Sequence, residues 1–209
     1  MLPVIFDNVA GTCKYLPATG NLQPIIPKPV SCSPKPIILL KLFKSVTCFV
    51  FDVDGVLTDG SLLVFDDGQM VRRMNIKDGY ALQLAVKKGY RVAVISGGDA
   101  PAVKERLHKL GVKDVFMKVD NKREQLGAWL EAGNIPWQEV LFMGDDIPDY
   151  DAMQKCALPC CPADAAPEIK HISKYISNIK GGEGCARDVI EKVLKLNLHW
   201  SIDTSVASK

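Results

Sequence analysis

No two cysteines in this 209-residue chain stand in a CxxC pair. The seven cysteines, at 13, 32, 48, 156, 160, 161 and 185, are odd in number, and the adjacent Cys160 and Cys161 cannot easily bridge to each other. No zinc site is therefore expected. Cys48 falls in an apolar run, and reduced, buried thiols of a cytoplasmic protein are the expectation. Apolar runs of membrane-spanning length are also missing. The segment PIILLKLF at 36–43 is short and contains Lys41. The first residues lack a basic start and a small-residue cleavage site after a long apolar stretch, so no secretory signal is expected. Charge of one sign is lacking too. The net charge is +2, which gives no basic field for nucleic acid. No internal repeat is present.

The chain is 47% hydrophobic and 24% charged, enough for one well-formed core. Residues 1–45 differ from the rest. They hold five lysines against one aspartate (+4), leaving 21 basic and 23 acidic residues (−2) for 46–209. Seven of the 13 prolines fall between Pro3 and Pro36, and no period of 2 or 3.6 is sustained there. Residues 1–45 therefore read as a disordered or loosely attached extension, 46–198 as the folded domain, and 199–209 as a tail.

From residue 46 the pattern changes. Residues 46–53 (VTCFVFDV) form an apolar run ending in acid, as expected of a strand buried on both faces of a parallel sheet. Runs at 62–65 and 70–76 flank Asp66-Asp67-Gly68 and predict a β-hairpin. Helices are predicted over 78–88, 99–110, 121–131, 148–155, 165–171 and 185–196. Strands are predicted over 91–95, 114–117, 139–143, 157–160 and 175–176. This alternation predicts an α/β fold, a Rossmann-like parallel sheet with helices on both faces. Ligands of such sheets bind at the carboxyl ends of the strands.

Three of those ends carry chemistry. Asp52 and Asp54 stand two apart at the end of the first strand, with period 2 placing both side chains on one side. Like charges so close need a proton or a cation to coexist, and all-oxygen ligands favour Mg²⁺. One carboxylate could then attack phosphorus while the other moves a proton. A solvated turn after a strand is the simpler meaning of such a pair standing alone. Ser96-Gly97-Gly98 follows the 91–95 strand and suits a phosphate, or is an ordinary turn with a serine cap. Gly144-Asp145-Asp146 and Asp149 follow the 139–143 strand. They suit a metal, or merely a helix start that favours acids. Lys122 opens a helix, where the dipole disfavours it, which suits a nearby anion; a surface lysine is the simpler meaning when it stands alone.

The order of these features decides between the alternatives. FDVDGVLTDG at 51–60, then ISGG, then Lys122, then GDDIPD resembles the haloacid dehalogenase superfamily over about residues 46–198. Only a hairpin fits between Asp54 and Asp78, and one helix and one strand between Lys122 and Gly144. The chain therefore resembles the subclass without a cap domain. Within it, FDDGQMVRRMNIKDGYALQLAVKKG and GGEGCARDVIEKVL resemble the 3-deoxy-D-manno-octulosonate 8-phosphate phosphatases.

The resemblance implies Asp52 as nucleophile and Mg²⁺ ligand, and Asp54 as general acid/base and backbone-carbonyl ligand. It implies Asp145 as the third ligand, and Ser96, Gly97 and Lys122 as the phosphoryl grip. Asp146 and Asp149 would act from behind, Asp149 by steadying Lys122. Lys77, Asp78, Gly98 and Arg187 would face a small sugar-acid phosphate, Arg187 reaching toward a neighbouring subunit. Many relatives carry Arg where this chain has Gly98, so another group must take that contact. A homotetramer whose hairpins (62–75) wall each other's sites is implied, with no nucleic-acid or membrane partner. Two alternatives stay open: a nine-carbon keto-sugar 9-phosphate as substrate, and a non-catalytic tetramerisation domain.

Overall fold

The computed structural model describes residues 36–205 together with two short strands, β1 (Ile5–Phe6) and β2 (Cys13–Lys14). The chain divides into two units, Met1–Cys32 and Ser33–Lys209. In the first, β1 and β2 pair antiparallel. The remaining elements belong to the second.

Six strands form its sheet: β3 (Cys48–Phe51), β6 (Arg91–Ile95), β7 (Asp114–Phe116), β8 (Val140–Met143), β9 (Leu158–Cys161) and β10 (Tyr175–Ile176). Their order is β10-β9-β8-β3-β6-β7, and every neighbouring pair is parallel. The chain starts in the middle at β3, runs outward through β6 and β7, then returns to the other side through β8, β9 and β10. The β3/β8 junction is thus the point where the winding reverses, and the carboxyl ends there form a crevice.

Alternation along β3 explains why both sheet faces are covered. Phe49 and Phe51 point into one core with helices α1 (Pro36–Ser45), α2 (Ile76–Lys87), α3 (Pro101–Lys109) and α7 (Cys185–Leu196). Cys48 and Val50 point into the other with α4 (Lys122–Ala132), α5 (Tyr150–Lys155) and α6 (Pro167–Ile172). All four β3 side chains are fully buried, and each large one stabilises the fold by about 1.5–3 kcal/mol. Cys48, Cys156, Cys160, Cys161 and Cys185 are buried free thiols, and burial raises their pKa.

The predicted hairpin is present as β4 (Leu63–Val64) and β5 (Met70–Val71), paired antiparallel around the turn at 66–68. Its base is tied to the first motif by a bridge between Thr58 and Met74. Among the described residues, the segment between Asp54 and α2 holds this hairpin and no further domain.

Residues 36–45, expected to lie in the loose extension, form α1, whose Phe43 is buried and meets Tyr175 edge to face. The proline-rich composition stops where this helix starts; most of residues 1–35 lies outside the described residues. The tail turns back after α7. Trp200 packs edge to face on Tyr80, and Asp203 pairs with Lys87 at 2.8 Å. No helix among the described residues is long and apolar enough to cross a membrane.

Candidate active site

The registers Phe51↔Val94 and Phe51↔Met143 bring the carboxyl ends of β3, β6 and β8 side by side. Asp52, Ser96 and the stretch Gly144-Asp145 leave the sheet there. After Asp52 the strand breaks into a tight turn, Val53–Leu57, in which Gly55 adopts φ +81. A side chain at Gly55 would also collide with Asp145, whose Oδ2 lies 1.9 Å from the ideal Cβ position. This glycine therefore lets the first motif close onto the Gly144-Asp145 loop. The turn also means that Asp52 and Asp54 do not continue one strand: Asp52 caps the turn through the Val53 amide at 2.7 Å, and Asp54 lies within it.

Lys122 opens α4 and is buried between two carboxylates. Its Nζ lies 2.9 Å from Asp52 Oδ1 and 2.7 Å from Asp149 Oδ1. The other oxygen of Asp149 accepts the amides of Asp145 (3.0 Å) and Asp146 (3.5 Å). Asp149 thus spends both oxygens on holding Lys122 and shaping the loop before α5, whereas Asp146 itself is exposed.

Carboxylate oxygens of Asp52, Asp145 and Asp149 lie within 4.8 Å of one another. Crowding and burial act on them as expected. Burial, then the charge of Asp149, pushes Asp52 up to about 7. Burial, then the charges of Asp52, Asp149 and Asp146, pushes Asp145 up to about 8. Burial also raises Asp149. Burial opposes the charge on Lys122, but the two carboxylates outweigh it and the ammonium is held. One lysine does not neutralise three acids. Asp145 Oδ1 is moreover buried without a hydrogen-bond partner among the described residues. An oxygen-rich, under-neutralised cluster with an orphaned carboxylate oxygen fits a hard divalent cation.

Ser96 is buried at the end of β6, and its Oγ accepts the Gly98 amide at 3.1 Å. It does not cap α3, which starts at Pro101 after an N-cap without a side-chain hydrogen bond. Gly97 is exposed. Gly98 lies against the acid of the first motif: an ideal Cβ there would be 3.2 Å from Asp54 Oδ2, 3.1 Å from Arg72 Nη2 and 3.5 Å from Ser96 Oγ.

Arg72 is a site residue that the sequence alone did not mark. Leaving the hairpin just after β5, it places Nε 2.6 Å from Asp54 Oδ1 and Nη2 3.1 Å from Asp54 Oδ2. Its side chain is only 6% exposed, although the surrounding hairpin is open to solvent. The available signal was the Arg72-Arg73 pair on an otherwise apolar strand; Arg73 pairs with Asp59 at 2.7 Å. Arg72 also lines an open cleft of about 700 Å³ between the hairpin and α3, together with Arg106, Met70 and Met74. Arg106 Nε and Nη2 are buried there without hydrogen-bond partners among the described residues.

Three expected substrate residues belong to a different set of contacts. Asp78 is buried, and its Oδ1 accepts the Arg187 amide at 2.7 Å, so it anchors the first turn of α7. Burial pushes it up to about 6. Arg187 stacks over Tyr80 and Trp200 and meets Glu191 at 3.2 Å. Lys77 is exposed and lines a groove along α7 with Arg187. α7 packs beside α2, and these three residues lie along that seam.

A family model described as haloacid dehalogenase-like hydrolase matches residues 114–187. The 3-deoxy-D-manno-octulosonate 8-phosphate phosphatase of Salmonella typhi is 32% identical over 151 residues, covering 72% of this chain and 80% of that protein. A crystal structure of a hypothetical protein from Xanthomonas campestris is 34% identical with a TM-score of 0.76, covering 81% of this chain and 92% of the other. The phosphatase of the same name from Moraxella catarrhalis, solved with magnesium, phosphate and the sugar acid, is 26% identical with a TM-score of 0.75, covering 78% and 93%. With its uncapped sheet and its cluster of acids at the strand ends, the chain belongs to the 3-deoxy-D-manno-octulosonate 8-phosphate phosphatase family of haloacid dehalogenase-like hydrolases.

Proposed function

We propose that the chain is a magnesium-dependent phosphatase that hydrolyses 3-deoxy-D-manno-octulosonate 8-phosphate to the sugar acid and phosphate, a step in making the inner sugar of lipopolysaccharide. The observation that carries this is the convergence of Asp52, Asp145, Lys122 and Ser96 on one crevice, with Asp54 beside it.

Asp52 attacks phosphorus in line, and the bond from phosphorus to the sugar oxygen breaks. Asp54 gives its proton to the departing oxygen, so the product leaves as an alcohol. The carboxylate of Asp54 then takes a proton from water, whose oxygen attacks the aspartyl phosphate. The bond to Asp52 breaks, releasing phosphate and restoring both acids. Lys122, the Ser96 hydroxyl and the Gly97 amide hold the phosphoryl oxygens. Asp52, Asp145 and the backbone carbonyl of Asp54 would hold magnesium, which when bound offsets the charge of the carboxylates and the phosphoryl group. Asp149 keeps Lys122 charged and in place, and Asp146 supports the loop through its amide. Arg106, whose Nε and Nη2 have no hydrogen-bond partner among the described residues, favours an anionic sugar acid in the hairpin cleft.

Leu63, Val64, Phe65, Met70 and Val71 of the hairpin are all exposed. Such a patch supports association into a tetramer in which hairpins wall neighbouring sites. Phosphate release from a panel of eight- and nine-carbon keto-sugar phosphates, with and without Mg²⁺, tests the reading. The highest kcat/KM is expected for the eight-carbon substrate, and only with the metal. A clear preference for a nine-carbon substrate would overturn the assignment.

A further inference from the structure

We propose that Arg72 is the positioning residue of the acid/base, aiming one oxygen of Asp54 into a slot that Gly98 keeps open for the departing oxygen. The proposal rests on Asp54 having the acid/base role given above.

A positioned proton donor needs its carboxylate held in one rotamer. Asp54 lies in a turn with its side chain 37% exposed, so burial does not fix it. Two groups do. Arg72 grips both oxygens, and Thr58 Oγ1 approaches Oδ1 at 3.4 Å. The grip is unequal: Nε–Oδ1 is 2.6 Å and Nη2–Oδ2 is 3.1 Å. Oδ1 is the anchored oxygen, and Oδ2 is the one able to exchange partners.

The place that Oδ2 faces is defined by what is missing. At the Cβ position of Gly98, a side-chain carbon would stand 3.2 Å from Asp54 Oδ2, 3.1 Å from Arg72 Nη2 and 3.5 Å from Ser96 Oγ. That point is the meeting place of the proton donor, a guanidinium and a phosphoryl-gripping hydroxyl. An oxygen bridging phosphorus and sugar would meet all three there if Ser96 holds the phosphoryl group. Gly98 has ordinary backbone geometry, so its lack of a side chain serves the space rather than the fold.

Arg72 is held ready by the hairpin base. The Thr58–Met74 bridge and the Arg73–Asp59 pair tie the strand leaving the hairpin to the end of the first motif. The exposed hairpin thereby reaches the reacting centre through one buried side chain.

Leaving-group dependence tests this. A sugar alkoxide needs a proton to depart, whereas nitrophenolate does not. The single-turnover rate of alcohol release would be measured for the sugar phosphate and for p-nitrophenyl phosphate in wild type, Arg72→Ala, Arg72→Lys, Gly98→Ala and Asp54→Asn. Arg72→Ala is expected to slow sugar release by about 10- to 100-fold while changing nitrophenol release by no more than about threefold. Arg72→Lys should recover part of the loss, and Gly98→Ala should show the same selectivity in weaker form. Equal loss on both substrates, or no loss on either, would overturn the proposal. Should Arg72→Ala fail to fold, Arg72→Lys and Gly98→Ala decide by the same contrast. Asp54→Asn separates the two readings. If it shows no leaving-group selectivity, the acid/base role of Asp54 fails. If it does while the Arg72 and Gly98 variants do not, only the positioning role fails.

Discussion

Lys122 and Asp149 are joined at 2.7 Å inside the protein, with side chains 4% and 0% exposed. The pair arises from two helix starts, α4 and the turn before α5, that face each other across the end of the sheet. Its second contact, from Lys122 to Asp52, links that structural pair to the reacting acid.

Breaking the pair should therefore affect stability and turnover differently. Asp149→Ala leaves the ammonium short of a partner and is expected to cost about 3–5 kcal/mol in denaturant unfolding. Lys122→Ala leaves the crowded acids without their internal cation and removes a phosphoryl contact. Its kcat should fall by about 100- to 1,000-fold. A Lys122→Ala protein with wild-type kcat would contradict the assigned grip.

The acid cluster sets a pH dependence whose sign is given by linkage. Asp52 and Asp145 are raised from 3.8 to about 7 and about 8. Between pH 4 and pH 8 the folded chain without metal holds protons that the unfolded chain has lost. Its stability should thus fall as pH rises through that window and level off above it. Magnesium binds the ionised acids, so its stabilising effect should grow over the same range. Thermal melts at pH 5 and pH 8, with and without Mg²⁺, check this. Asp145→Asn should flatten both trends.

The exposed hairpin predicts association. Replacing Leu63 and Phe65 by Glu places charge on the apolar patch without touching the core. Sedimentation is expected to show a tetramer for the wild type and smaller species for the variant. A fully active wild-type monomer would contradict a site completed by neighbours.

Much of the fold and site was readable in the residues. Continuous apolar runs ending in Asp52, Ser96 and Gly144 mark buried parallel strands, and parallel strands deliver the residues after them to one edge of the sheet. Lys122 was legible through its place between ISGG and GDDIPD, since a lysine at a helix start standing alone reads more simply as a surface residue. Arg72 was not, because its meaning depends on a hairpin folding back to the first motif, a contact spanning 18 positions. The contacts of Asp78 and Arg187 within the chain were not legible for the same reason: they are set by how α7 packs on α2, which no local pattern encodes. Helix α1 was hidden by the proline-rich residues before it.

Asp52 carrying the phosphoryl group is the central step. The most direct measurement is acid quench during turnover of the sugar phosphate with excess enzyme and Mg²⁺, followed by mass analysis of the peptide containing Asp52. The expected result is a transient phosphoryl group on that aspartate in the wild type, with neither phosphopeptide nor phosphate release in Asp52→Asn. Phosphate release by Asp52→Asn at the wild-type rate would contradict the assigned nucleophile and the mechanism built on it.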